Sequence, residues 1–229
     1  MKEPKPYIGL LTFLLASVAG CCDTVTFVSG KSIFSAHVTG NFIVFAAQAI
    51  ANNHTSSWLQ LTTFPVFVIA VMVGGWLSGQ FLNRYVLLLV ESVLLLLAAL
   101  ATCIVPTWYN LNNGHGIYLI VMMVVFALGL QNAFGKLYSQ DTHGPTTMMT
   151  GNVTQLALDF GNLFRSRFTT WPSLKESIQK QLFTIGGFLF GCLLGALLAN
   201  LMALKALFLP SLALLICSAF LLRTTKNNM

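Results

Sequence analysis

The chain has 229 residues, 56% of them hydrophobic and 8% charged, and a formal net charge of +6. Soluble domains carry about 25% charged residues. This composition, with its mean hydropathy of +0.78, therefore excludes a water-soluble globular protein and indicates a polytopic membrane protein. The basic excess reports membrane topology before nucleic acid, so the expected surroundings are the lipid bilayer and no nucleic-acid partner is expected. Cys21, Cys22, Cys103, Cys192 and Cys217 all fall in apolar runs without metal-ligand spacing. They read as small buried hydrophobes, and no metal or cofactor is expected.

In chain order, the first apolar span covers about 7–28 and carries Gly20 and Asp23. Lys2, Lys5 and Ser17-Val18-Ala19 imitate a cleaved signal peptide, but the same run recurs later in the chain and is read as a span. Lys31 follows, then a short helix at about 36–51 that opens on Thr39-Gly40-Asn41, residue types that cap helix starts. Spans at about 61–82 and 86–106 come next; Glu91 on the second is expected to pair with Arg84. After an uncharged loop, a span at 117–134 ends in Gly129-Leu130-Gln131-Asn132. A second short helix, about 146–163, opens on Thr150-Gly151-Asn152 and contains Asp159, which is expected near Arg165 or in the interior. A basic loop reaches Lys180, and two spans, 181–201 and 206–222, complete the chain.

The halves correspond. Gly20 and Asp23 recur as Gly129 and Asn132, 109 residues on; Thr39-Gly40-Asn41 recurs as Thr150-Gly151-Asn152 at 111; Gly74, Gly75 and Gly79 recur as Gly186, Gly187 and Gly191 at 112. One transmembrane domain, 1–229, is therefore expected, with repeat one at about 7–106 and repeat two at about 117–222. Lys and Arg choose between topologies. With six crossings and a cytoplasmic N-terminus, Lys2, Lys5, Arg84, Lys136, Arg165, Arg167, Lys175, Lys180, Arg223 and Lys226 lie inside, and only Lys31 and Lys205 lie outside. With eight crossings Arg84 and Lys136 move outside, so the positive-inside rule favours six. Three crossings per half invert the second repeat, so that the short helices enter from opposite faces and meet near the midplane. The predicted fold is thus an all-α membrane protein of about six transmembrane helices plus two short re-entrant or partial Thr-Gly-Asn helices.

Asp23 is the sharpest candidate residue. A carboxyl group inside a span costs a few kcal/mol and faces a cavity or a partner. His37 is placed to pair with it as a proton relay. Thr39, Asn41, Thr150 and Asn152 present hydroxyls, amides and helix-start N–H groups to a polar or anionic ligand. Gln131 and Asn132 stand in the second half where Asp23 stands in the first, and Asp159 completes the candidate set. Gly75/Gly79, Gly187/Gly191 and Gly191/Gly195 have GxxxG spacing, which brings helices close and allows a homodimer. No nucleophile motif, Walker loop or HExxH is present, so an enzyme is not expected.

Gly20-x-x-Asp23, His37-x-Thr39-Gly40-Asn41, Gly129-x-Gln131-Asn132-Ala133 and Thr150-Gly151-Asn152 together resemble the YoaK family, small bacterial inner-membrane proteins carrying a domain of unknown function. The likeness covers nearly the whole chain. The family pattern often reads Val-Asp-Ala where this chain has Cys22-Asp23-Thr24, which keeps the carboxylate. The resemblance implies about six spans in a bacterial inner membrane and supplies no substrate. The function expected is a small secondary transporter or channel for a small polar or anionic solute, proton-coupled through Asp23. The alternative is a non-transporting assembly or sensory subunit docked through the basic loop, with a membrane-embedded enzyme last.

Overall fold

The computed structural model of the protein describes residues 7–51, 58–108 and 115–226, and every regular element within them is a helix. Long apolar runs become helices because a membrane leaves backbone groups no other partner. Pro65, Pro172 and Pro210 each fall in the first turn of a helix, where a missing N–H costs least. The elements are α1 (Tyr7–Ser29), α2 (Gly40–Ile50), α3 (Trp58–Leu61), α4 (Thr63–Gln80), α5 (Val86–Trp108), α6 (His115–Leu137), α7 (Met149–Arg165), α8 (Trp171–Met202) and α9 (Phe208–Lys226). α3 and α4 act as one span, Trp58–Gln80. The apolar stretch Trp171–Thr225 runs for 55 residues, against the ~20 that one crossing needs. A 3-10 turn at Ala203–Leu207 divides it into α8 and α9, with Ala203 at φ 50° starting the reversal. Six helical segments are therefore long and apolar enough to cross.

α1 and α6 form the enclosed centre. α1 lies along α8, α6 lies between α4 and α5, and α9 covers α5. On α8, a Cβ added at Gly187, Gly191 or Gly195 would meet the backbone of Phe13, Ser17 and Cys21 in turn. The four-residue steps match on the two helices, which therefore run parallel in close backbone contact. On the other side, Gly129 of α6 approaches Ala70 of α4, and Gly74 approaches Ala133. Of the expected glycine pairs, Gly187/Gly191 and Gly191/Gly195 do pack, whereas Gly75 and Gly79 have nothing within 4 Å. α4 puts Gly74 on its packed face, and its neighbour Gly75 turns away.

α1 and α6 run in opposite directions. The Gln131 amide donates to the Leu15 carbonyl, while Gly30, at the far end of α1, sits against Val121, near the start of α6. Tyr7, Arg84, Tyr85, Thr224 and Thr225 line one groove. The beginnings of α1 and α5 and the end of α9 thus share a face. That grouping is the one six crossings produce; with eight, Arg84 would lie across the bilayer from Tyr7.

Three boundaries differ from the sequence expectation. The basic loop before Lys180 is largely helical, because α8 starts ten residues earlier, at Trp171. The first short helix begins at Gly40, since 31–39 is held as a loop, and the second begins at Met149. The short helices also do not face one another: α2 packs on α3 and α7 along α8.

Candidate functional site

Beyond Ser29 the chain reverses through Lys31 and Ser32, both left-handed at φ 66° and 59°. It then runs back along α1, so that 33–38 lies level with the last two turns of that helix. Four contacts hold it there. Thr26 Oγ1 donates to Ser35 Oγ at 3.0 Å. The Ala36 N–H donates to Asp23 Oδ1 at 2.6 Å, and the His37 N–H reaches the same oxygen at 3.4 Å. His37 Nδ1 lies 2.6 Å from Asp23 Oδ2. From this depth α2 runs outward again. The segment is folded back along α1, and Asp23 satisfies the backbone N–H groups of Ala36 and His37 there.

Asn41 clamps the reversal. Its Oδ1 accepts from the Phe34 N–H, and its Nδ2 donates to the Phe34 carbonyl, each at 2.8 Å, and to Thr63 Oγ1 at 3.0 Å. The side chain is fully buried and committed to the fold, so it offers nothing to a ligand. Thr39 precedes α2 without a side-chain cap bond. The first N–H groups of α2 donate to the carbonyls of His37, Val38 and Thr39, so the helix start is not an open anion seat.

Beside the Asp23–His37 pair is an open cavity of about 700 Å³. Thr24 and Phe27 line it from α1, Phe34, His37 and Thr39 from the folded-back loop, Gly40, Ile43 and Val44 from α2, and Phe188 and Cys192 from α8. The Phe188 ring stands edge-on to His37 at 5.4 Å, and Phe27 stacks on Phe34 at 4.4 Å. The imidazole side chain is 39% exposed and Asp23 6%. With Nδ1 engaged, Nε2 is the free edge of the ring. The cavity therefore combines a carboxylate, an imidazole and two threonine hydroxyls with aromatic walls.

A second cluster repeats the pattern at the other end. The 138–148 segment folds back along α6, and Thr146 and Thr147 take the places of Ser35 and Ala36. Gln131 Nε2 donates to Thr146 Oγ1 at 2.7 Å and to the Leu15 carbonyl at 2.8 Å. Thr147 Oγ1 donates to Asn132 Oδ1 at 2.6 Å. Asn152 Nδ2 reaches the Pro145 carbonyl at 3.4 Å, seven residues back, just as Asn41 reaches Phe34. Measured along α1, the level of Leu15 is about 12 Å from that of Asp23, so the clusters are separate sites.

The family model that matches residues 11–220 is described as Protein of unknown function (DUF1275). The chain belongs to this family. Comparisons with curated proteins and with solved structures give no match. The DUF1275 region contains both folded-back segments and every candidate residue named above.

Within it, the structure gathers Asp23, His37 and Thr39 at one cavity, with Asn41 behind them. Gln131, Asn132 and Asn152 belong to the second cluster, and Thr150 is exposed on the first turn of α7. Asp159 stands apart: its carboxylate accepts from Gln155 Nε2 at 2.8 Å and Ser177 Oγ at 2.5 Å, tying α7 to α8. Arg84 does not pair with Glu91 as expected; it pairs with Asp141 at 2.6 Å, because the segment after α6 comes back over the start of α5. Sequence reading missed Thr24, Phe188 and Cys192. Phe188 and Cys192 each follow a glycine of the α8 ridge, and that adjacency to a packed face was the available signal.

Proposed function

We propose that the protein is a small secondary transporter or channel of the bacterial inner membrane, of the YoaK type, that moves a small polar or anionic solute. Both ends of the chain lie on the cytoplasmic side, where ten of the twelve Lys and Arg then fall. The two halves are inverted repeats, a reading supported by the antiparallel course of α1 and α6 and by the matched re-entrant segments. The observation that carries the reading is the re-entrant loop that sets His37 on Asp23 at the wall of an open cavity. A segment turned back into a bundle spends backbone polarity at depth, and transporters use such segments to bind solutes.

The test is a thermal-shift screen of small carboxylates, amino acids, polyols and inorganic anions on purified protein, followed by uptake into proteoliposomes of whatever stabilises it. A stabilising solute is expected, with the shift lost in Asp23→Asn and His37→Ala. If no class of solute stabilises the wild type and no uptake exceeds that of empty vesicles, the reading is wrong.

A further inference from the structure

Glu91 stands alone in the interior. It lies in the second turn of α5, is 0% exposed, and neither of its carboxyl oxygens has a hydrogen-bond partner among the described residues. Its nearest cation in sequence, Arg84, is engaged by Asp141 at 2.6 Å. The other ion pairs among the described residues are His37–Asp23 and Lys180–Glu176. The elements packed on α5 bring it no charge at depth. α4 has no titratable residue from Thr63 to Gln80. α6 has His115 and Tyr118 near one end and Lys136 near the other, α9 has the Cys217 thiol and, in its last turns, Arg223 and Lys226, and the 3-10 turn has Lys205. From α1, the buried Cys22 thiol is near enough to feel a charge on Glu91.

A carboxylate taken out of water with no donor and no cation is not sustained; the group keeps its proton instead. Asp23 is the opposite case, because both its oxygens accept hydrogen bonds: Oδ1 from the Ala36 and His37 N–H groups, Oδ2 from His37 Nδ1. Two carboxyl groups in one bundle thus have opposite surroundings, one without a donor and one with three, the kind of difference by which proteins divide acid from base. We propose that Glu91, rather than Asp23, carries the coupling proton. It is a neutral carboxylic acid in this conformation, and it releases its proton to water when the bundle opens, leaving a carboxylate that water then solvates. Asp23 is the fixed acceptor that holds the re-entrant loop. The assignment rests on the transporter reading for its coupling role, and the protonation state can be measured without transport.

The experiment is infrared spectroscopy of the protein in lipid at neutral pH, following the carbonyl stretch of protonated carboxylic acids and its shift on hydrogen–deuterium exchange. A band is expected in the wild type, lost in Glu91→Gln and retained in Asp23→Asn. A second measurement needs no change at Glu91: isotope-labelled glutamate carboxyl groups in Glu3→Gln protein should shift the band, since the other glutamate, Glu176, is exposed and paired with Lys180. Absence of the band, its survival in Glu91→Gln, or no shift with labelled glutamate would each overturn the assignment. Those results would leave the transporter reading standing, and a failed uptake assay would leave the protonation of Glu91 standing.

Discussion

Asp23 was legible as a functional candidate because a carboxyl within an apolar run has to be explained. Its partner His37 was legible from proximity in the chain. Their contact depends on the left-handed pair Lys31–Ser32, which no residue type advertised. His37→Ala should lower thermal stability, because it removes the imidazole from Asp23 Oδ2; a melting temperature equal to that of the wild type would refute the pairing. Asn41→Ala should cost about 1–3 kcal/mol, because it leaves the half-buried Phe34 N–H and carbonyl unpaired. Denaturation of the variant in detergent would read this directly, and a change under half a kcal/mol would show that the clamp is idle.

At the scale of the element, span positions followed from apolar length alone, but packing did not follow from motif. Gly75-x-x-x-Gly79 and Gly187-x-x-x-Gly191 are the same pattern, yet only the second meets a neighbour. The partner decides which face of a helix is used, and α4 uses the Gly74 face. Gly191→Val drives its Cβ into the Ser17 carbonyl oxygen. It should lower stability by at least about 1–3 kcal/mol, the usual cost of overpacking. Gly75→Ala meets open space and should be neutral or stabilising by up to about 1 kcal/mol. Melting temperatures of the two variants in one detergent check the contrast; equal effects would mean that the α1–α8 contact is not the tight one. The expected Arg84–Glu91 pair failed for a related reason. A one-helix reading ranks partners by sequence distance, while Asp141 arrives from the end of another helix.

At the scale of the whole molecule, the groove shared by Tyr7, Arg84 and Thr224 makes a firm topological prediction. In a background without the exposed Cys103, a cysteine at Gln140 should react from the same side as one at Thr169, and a cysteine at Lys205 from the opposite side. Labelling of Gln140 from the Lys205 side would restore eight crossings and make the halves parallel. Composition by itself determined the membrane class, and apolar run length determined six long helices, because a bilayer admits few other ways to satisfy backbone polarity. The Gly–Asp/Asn and Thr-Gly-Asn signatures fall at the two segments that fold back along α1 and α6. Only the tertiary structure decided that these segments fold back onto Asp23 and Asn132 at separate levels, that Asn41 serves the loop, and that Phe188 and Cys192 complete the cavity wall. It also left Glu91 without a partner. Those outcomes depend on which helix faces meet, and a facing surface is set by the packing of two helices against each other, information that neither helix carries alone.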